Sequence, residues 1–283
     1  MATDLSTPPI GQLGRRVAAV ELTGAAVQLG GNTIWADATL EIGAGEFVAV
    51  LGPNGAGKST LLQVLLGVLP LSAGTASVLG LPPGTTKREI GYLPQRHAFD
   101  ASTRIRGVDL VRLGLDGHRW GLPRPGRRAE RRRVEEAVAL VGAQAYARRA
   151  IGECSGGEQQ RLLIAEALVA RPRMLFLDEP LDSLDLPNQT AVAALLDEIC
   201  RAEQMTILLV AHDVNPLLAH LDRVVYIARG QVLSGPPEQV IASDTLSELY
   251  QSPIEVLHTS DGRLVVVGQP EAPAHHSDRH AHP

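Results

Sequence analysis

Apolar and polar positions alternate with a period of two near the start of the chain. Val20, Leu22 and then Val27 to Leu29 alternate with polar or small residues, and a Gly30-Gly31-Asn32 turn follows. After the turn, Ala38, Leu40 and Ile42 alternate with Thr39 and Glu41. Two such runs around a tight turn predict an antiparallel hairpin. The period then changes. Phe47 to Leu51 (FVAVL) is continuously apolar, as in a strand buried on both faces. Leu61 to Leu69 is apolar on nearly every face and halted by Pro70, which predicts a buried helix.

Similar short runs predict strands at Gly74 to Leu79, Ile90 to Leu93, Met174 to Leu177, Thr206 to Ala211 and Val224 to Ala228. An Arg229-Gly230-Gln231 turn follows the last of them. Val134, Ala137, Val138 and Val141 recur at helical spacing within a predicted helix from Glu130 to Val141. Ser155-Gly-Gly-Glu158 is a capping box that predicts a helix through to about Ala170, and Thr190 to Cys200 reads as an amphipathic helix. Strands alternating with helices predict an α/β fold: a doubly wound, mostly parallel sheet, with the hairpin as an antiparallel β subdomain.

Composition shifts suggest boundaries. Residues 1–15 carry Pro-Pro and small polar residues and read as a flexible lead-in. Residues 96–153 lack strong strand patterns and read as a helical insert within a domain spanning 16–245. An arginine-dense stretch, Arg119 to Arg133, is interleaved with Glu130 and followed by Glu135 and Glu136, which favours a solvated face or a contact with a partner's acidic loops. Residues 246–270, with alternation over Leu264 to Val267, read as a small extension with a hairpin; residues 271–283 read as a disordered tail.

A chain of 283 residues with 45% hydrophobic and 20% charged residues is long and apolar enough for a sizeable core. A net charge of −5 and only 3% aromatics argue against a nucleic-acid partner. Cys154 and Cys200 are too few for a disulfide framework and suit a reducing compartment. The first twenty residues lack the apolar core of a secretory signal, and no apolar run is long enough to span a bilayer.

Between the buried strand and helix lies Gly52-Pro53-Asn54-Gly55-Ala56-Gly57-Lys58-Ser59-Thr60, which fits G-x-x-x-x-G-K-[ST] throughout. Glycines let several backbone N–H groups converge on one anion, and the following helix start adds its positive dipole end. Lys58 can reach the β- and γ-phosphates and the Ser59 hydroxyl can ligate Mg²⁺. This stretch predicts binding of a nucleoside triphosphate. In doubly wound sheets, ligands sit at the carboxyl ends of strands. Asp178, Glu179 and His212 all fall at such ends. Asp178 can hold Mg²⁺ opposite Ser59, and Glu179 can polarise an attacking water, worth roughly 10²–10⁴-fold. His212 can contact the γ-phosphate or that water, and Gln95, after its strand, offers an amide to Mg²⁺ or water.

Taken jointly and in order, these residues resemble the ATP-binding-cassette (ABC) ATPases over roughly residues 16–245. GPNGAGKST (52–60) is like Walker A, YLPQ (92–95) places Gln95 at the Q-loop, and CSGGEQQR (154–161) resembles the LSGGQ signature. MLFLDEP (174–180) looks like Walker B, Ser183-Leu184-Asp185 like the D-loop, and His212 like the switch histidine. The resemblance implies a head-to-tail dimer with a second copy, each ATP lying between Walker A of one cassette and Ser155, Gly156, Gly157 and Glu158 of the other, with Asp185 nearby. It implies that the insert couples to integral membrane permease subunits at the cytoplasmic face of the membrane. Leu29 stands where the family usually stacks an aromatic on adenine, while Trp35 reads as core. Cys154 and Glu158 replace the usual Leu and Gln, and Glu166 stands where Arg is common.

The stretch 212–232 resembles most the ATPases of zinc or manganese importers, which implies a metal-binding extracytoplasmic protein as an indirect partner. His275, His276, His280 and His282 in the tail would suit a transition metal. The reading is an ATPase that drives uptake of a divalent metal, zinc first and manganese second. An exporter ATPase and a soluble, non-transport ABC ATPase are the alternatives.

Overall fold

The computed structural model describes residues 18–95, 99–116, 127–259 and 263–267. The lead-in, part of the arginine-dense stretch and the four tail histidines lie outside them.

The expected hairpin is present. Strand β1 (Ala18–Leu29) pairs antiparallel with β2 (Asn32–Gly43), pinned where Val20 faces Ile42 and Leu22 faces Leu40. Its inward residues, Trp35 among them, are fully buried. Strand β3 (Phe47–Leu51) is buried at all five positions and leads through the glycine-rich loop to helix α1 (Lys58–Leu65). This helix starts three residues before the apolar run and ends four residues before its expected end. Gly57, at φ +99, serves as its N-cap and lets Lys58-Ser59-Thr60 form the first turn. At the other end the N–H groups of Val68 and Leu69 both return to the Gln63 carbonyl, so the helix unwinds before Pro70.

Strand β4 (Ala73–Val78) joins the hairpin as the outer strand of a three-stranded sheet ordered β2-β1-β4. Strand β5 (Ile90–Leu93) opens the main sheet. Helices α2 (Gly107–Asp116) and α3 (Arg127–Leu140) follow, and then α4 (Gly156–Leu168). Helices α2 and α4 come very close: a Cβ on Gly114 would lie 2.1 Å from the Glu166 carbonyl oxygen, and one on Gly107 would lie 2.7 Å from Leu162 Cδ1.

Strand β6 (Met174–Asp178), helix α5 (Leu186–Glu203), strand β7 (Thr206–Val210) and strand β8 (Arg223–Ala228) restore the α/β alternation. Helix α5 begins four residues before the expected start because Asp185 caps it and Pro187 occupies its first turn, where no N–H partner is needed. Strand β9 (Gln231–Gly235) returns antiparallel to β8. The expected turn at Arg229-Gly230 is therefore a hairpin turn inside the sheet. The order is β5-β6-β7-β3-β8-β9, parallel except for β9.

Helix α6 (Pro237–Val240), helix α7 (Ser243–Tyr250) and the hairpin of β10 (Glu255–His258) and β11 (Leu264–Val267) complete the described chain. They are fastened to the rest of the domain: the Tyr226 hydroxyl on β8 and the Tyr250 hydroxyl are 3.2 Å apart, and the Leu264 N–H donates to Asn215 Oδ1, between β7 and β8, at 2.7 Å. Helix α7 spans the expected boundary at 245/246. Two apolar layers pack on the opposite faces of the main sheet, one shared with the hairpin sheet and one with α2, α3 and α4.

Candidate nucleotide site

Strand β3 delivers the loop Gly52–Thr60 at its carboxyl end. Gly52 adopts φ +140, and a Cβ there would sit 2.0 Å from the Ile227 carbonyl oxygen. Only glycine lets this loop leave the sheet so close to its neighbour strand. Asn54, Gly55, Gly57, Lys58, Ser59 and Thr60 line a cavity of about 200 Å³ that also borders on Ile34 and Glu179. The Lys58 ammonium turns back to the loop, donating to the Gly52 carbonyl at 2.8 Å and the Pro53 carbonyl at 3.2 Å. Burial holds its pKa below the ordinary lysine value, and the Glu179, Asp182 and Asp178 charges oppose that shift. Ala56 completes the turn, its N–H donating to the Pro53 carbonyl.

Strands β6 and β7 are parallel neighbours, so their ends bring Asp178, Glu179 and His212 together. Ser59 Oγ donates to Asp178 Oδ1 at 3.1 Å. Burial raises the pKa of Asp178, while the Ser59 hydrogen bond and the Lys58 charge pull it back. Glu179 stands just past the strand at φ +53, its N–H tied to the Val210 carbonyl at 3.1 Å. Its two carboxylate oxygens have different partners: His212 Nε2 lies 2.7 Å from Oε1, and the Gln95 amide donates to Oε2. Burial raises its pKa, and the nearby His212 opposes the shift. Two hard oxygens on Ser59 and Asp178, beside a cationic loop, fit a Mg²⁺-triphosphate by their chemistry.

Two residues that the sequence reading passed over belong to this geometry. Asp182 Oδ2 lies 3.2 Å from His212 Nε2 and so shares it with Glu179. Its place three residues after Glu179, in the turn before α5, was the available signal. Ile34 lines the cavity from the hairpin. Leu29 ends β1 opposite Asn32 and is 40% exposed, whereas Trp35 is fully buried, as expected of a core residue.

The capping box appears as expected. Ser155 caps α4, accepting from the Glu158 N–H at 3.3 Å, and Glu158 accepts from the Ser155 N–H at 2.8 Å. Ser155 and Gly156 are exposed and Gly157 is buried. Asp185 caps α5, accepting from the Asn188 N–H at 3.2 Å and from its amide at 2.5 Å. The two helix starts meet: a Cβ on Gly157 would lie 2.6 Å from Asn188 Oδ1.

Comparison with known proteins places this geometry. The family model for the ABC transporter matches residues 35–182. The manganese transport system ATP-binding protein MntB of Halalkalibacterium halodurans is 35% identical over 226 residues, 80% of this chain and 89% of that protein. The zinc transport system ATP-binding protein TroB of Treponema pallidum is 38% identical over 213 residues, 74% of this chain and 79% of that one. Among solved structures, cbiO1 of Clostridium perfringens, part of the ABC transporter complex cbiONQ, superposes with a TM-score of 0.70 at 27% identity, covering 82% of this chain and 93% of that one. Motif order, sheet topology and these matches agree: the chain belongs to the ABC transporter family, as one of its ATP-hydrolysing cassettes.

Proposed function

We propose that this cassette is the ATPase subunit of an importer for a divalent metal ion, zinc first and manganese second, acting through membrane permease subunits at the cytoplasmic face. The observation that carries the ATPase chemistry is Glu179, whose carboxylate is held by His212 on one oxygen and by Gln95 on the other beside the Lys58 loop. The cargo reading rests on the manganese and zinc relatives and on the likeness of residues 212–232 to metal-importer ATPases. No described helix is long and apolar enough to cross a membrane, and in this reading transport runs through a membrane partner. The helical insert within 96–153 is the part that meets it, and a metal-binding extracytoplasmic protein supplies the cargo.

In this reading Lys58 exchanges the Gly52 and Pro53 carbonyls for β- and γ-phosphate oxygens. Ser59 and Asp178 hold Mg²⁺ with help from the Gln95 amide, and the ion, when bound, offsets triphosphate charge. Glu179 accepts the proton of the attacking water. His212 orients that carboxylate and reaches the γ-phosphate. The helix start at Ser155, Gly156, Gly157 and Glu158 closes over the nucleotide of a second copy, with Asp185 beside it. In this reading the tail histidines serve as a store for the transported ion.

The test is deletion of the chain from its host, chelator starvation, and add-back of Zn²⁺, Mn²⁺ or Fe²⁺ singly. A growth defect cured at low supply by zinc or manganese alone is the expected result. Insensitivity to chelator would remove the metal cargo and leave the ATPase.

A further inference from the structure

The Glu158 side chain brings a carboxylate to the helix start that this reading offers to a second copy's triphosphate. One oxygen accepts the Ser155 N–H at 2.8 Å, which fixes the cap. The same carboxylate would repel an incoming polyanion, since like charges across an interface oppose association. Its other oxygen is bound by the Arg149 guanidinium. Arg149 is itself held in place. Its N–H donates to the Tyr146 carbonyl at 2.9 Å, its carbonyl accepts from the Gly107 N–H at 3.1 Å, and its guanidinium lies 5.5 Å from the Tyr146 ring centroid. The ring is buried at 8% exposure, so it provides a fixed platform. Glu158 lies nine positions after Arg149, and the turn Ile151–Glu153 brings them together.

We propose that Arg149 is a positioning residue of the nucleotide site: it cancels the charge of Glu158 while leaving that carboxylate free to hold the Ser155 cap. This rests on the head-to-tail dimer reading. The ion pair is partly exposed, with side-chain exposures of 45% and 27%, so as a stability device it contributes little. Its consequence lies in what the helix start presents to an anion. Glu158 alone would keep the cap and repel the phosphate. The pair keeps the cap and is neutral.

The experiment uses the full chain carrying Glu179→Gln, so that ATP is bound and hydrolysed slowly, and measures dimerisation in Mg-ATP by sedimentation. Added to this parent are Arg149→Ala, Arg149→Gln, Glu158→Gln, and each Arg149 variant combined with Glu158→Gln. Either Arg149 substitution should weaken dimerisation about tenfold or more, while ATP binding to the dilute monomer stays within about twofold, because its own loop is untouched. Combined with Glu158→Gln, the Arg149 substitutions should cost less than about twofold relative to Glu158→Gln alone. Equal loss in both backgrounds would make Arg149 a direct phosphate ligand or a structural prop and overturn the proposal, as would no loss in either. A parent that fails to dimerise in Mg-ATP would overturn the dimer reading itself, and this assignment with it.

Discussion

His212 Nε2 lies 2.7 Å from the Glu179 carboxylate and 3.2 Å from that of Asp182, so one imidazole nitrogen bridges two acids. Burial, and then the charge of Asp182, keep Glu179 protonated at higher pH than the ordinary value of 4.5, against the pull of His212. The base works only when ionised. The acid limb of kcat should therefore lie above pH 4.5, and Asp182→Asn should move it to lower pH by removing a negative neighbour. A pH–rate profile of both proteins checks this. A limb at or below the ordinary carboxylate range, or an unmoved one, would contradict the assignment of Glu179 as the base.

Replacing that base should separate binding from turnover. Glu179→Gln keeps the hydrogen-bonding shape and loses the proton acceptor. Hydrolysis should fall roughly 10²–10⁴-fold, equivalent to about 3–5 kcal/mol of barrier, with ATP affinity within a few fold of the parent. Single-turnover hydrolysis and equilibrium nucleotide binding read the two quantities. Full turnover in this variant would remove Glu179 from its role.

Gly157 is in close contact with a neighbouring side chain of its own chain. An added methyl would meet Asn188 Oδ1 at 2.6 Å, so Gly157→Ala should destabilise the monomer by about 1–3 kcal/mol. Asn188→Ala in the same chain should restore most of that loss, since it removes the obstructing amide. Urea unfolding of the two single variants and the double variant decides it. Additive losses would show that the strain is elsewhere.

Leu29 is exposed at the end of the hairpin and has no aromatic face to offer a base. If adenine rests there, Leu29→Tyr should tighten ATP binding by about 0.5–1.5 kcal/mol, the range for an aromatic pair. GTP should gain a similar amount, because stacking does not select among purines. Affinities unchanged for both nucleotides would place the base on another surface.

The long apolar runs could be read from the sequence because burial leaves a local signature. All five residues of β3, β6 and β7 are buried, and apart from Asp178 and Thr206 at strand ends they read as continuous apolar stretches. Asp178, Glu179 and His212 could be brought together in advance because parallel strands end on one side of a sheet. Strand β9 left no such signature: Gln231 to Gly235 is only partly buried and becomes a strand by pairing with β8. The first turn of α5 was hidden by Pro187, which as readily marks a loop as a helix start. Asp182 and Arg149 acquire their contacts through side chains meeting across turns, and residue spacing carries no record of such meetings. Asn188 against Gly157 is of the same kind, joining two helix starts far apart in the chain.

The close approach of α2 and α4 has a mechanical meaning. At Gly114 one backbone rests almost directly on the other, with no side chain between them to flex. Side chains absorb small displacements by shifting rotamers, and main chain held in helical hydrogen bonds does not. The two helices therefore touch through main chain at this point, and a displacement of α2 there meets α4 with little side chain to take it up.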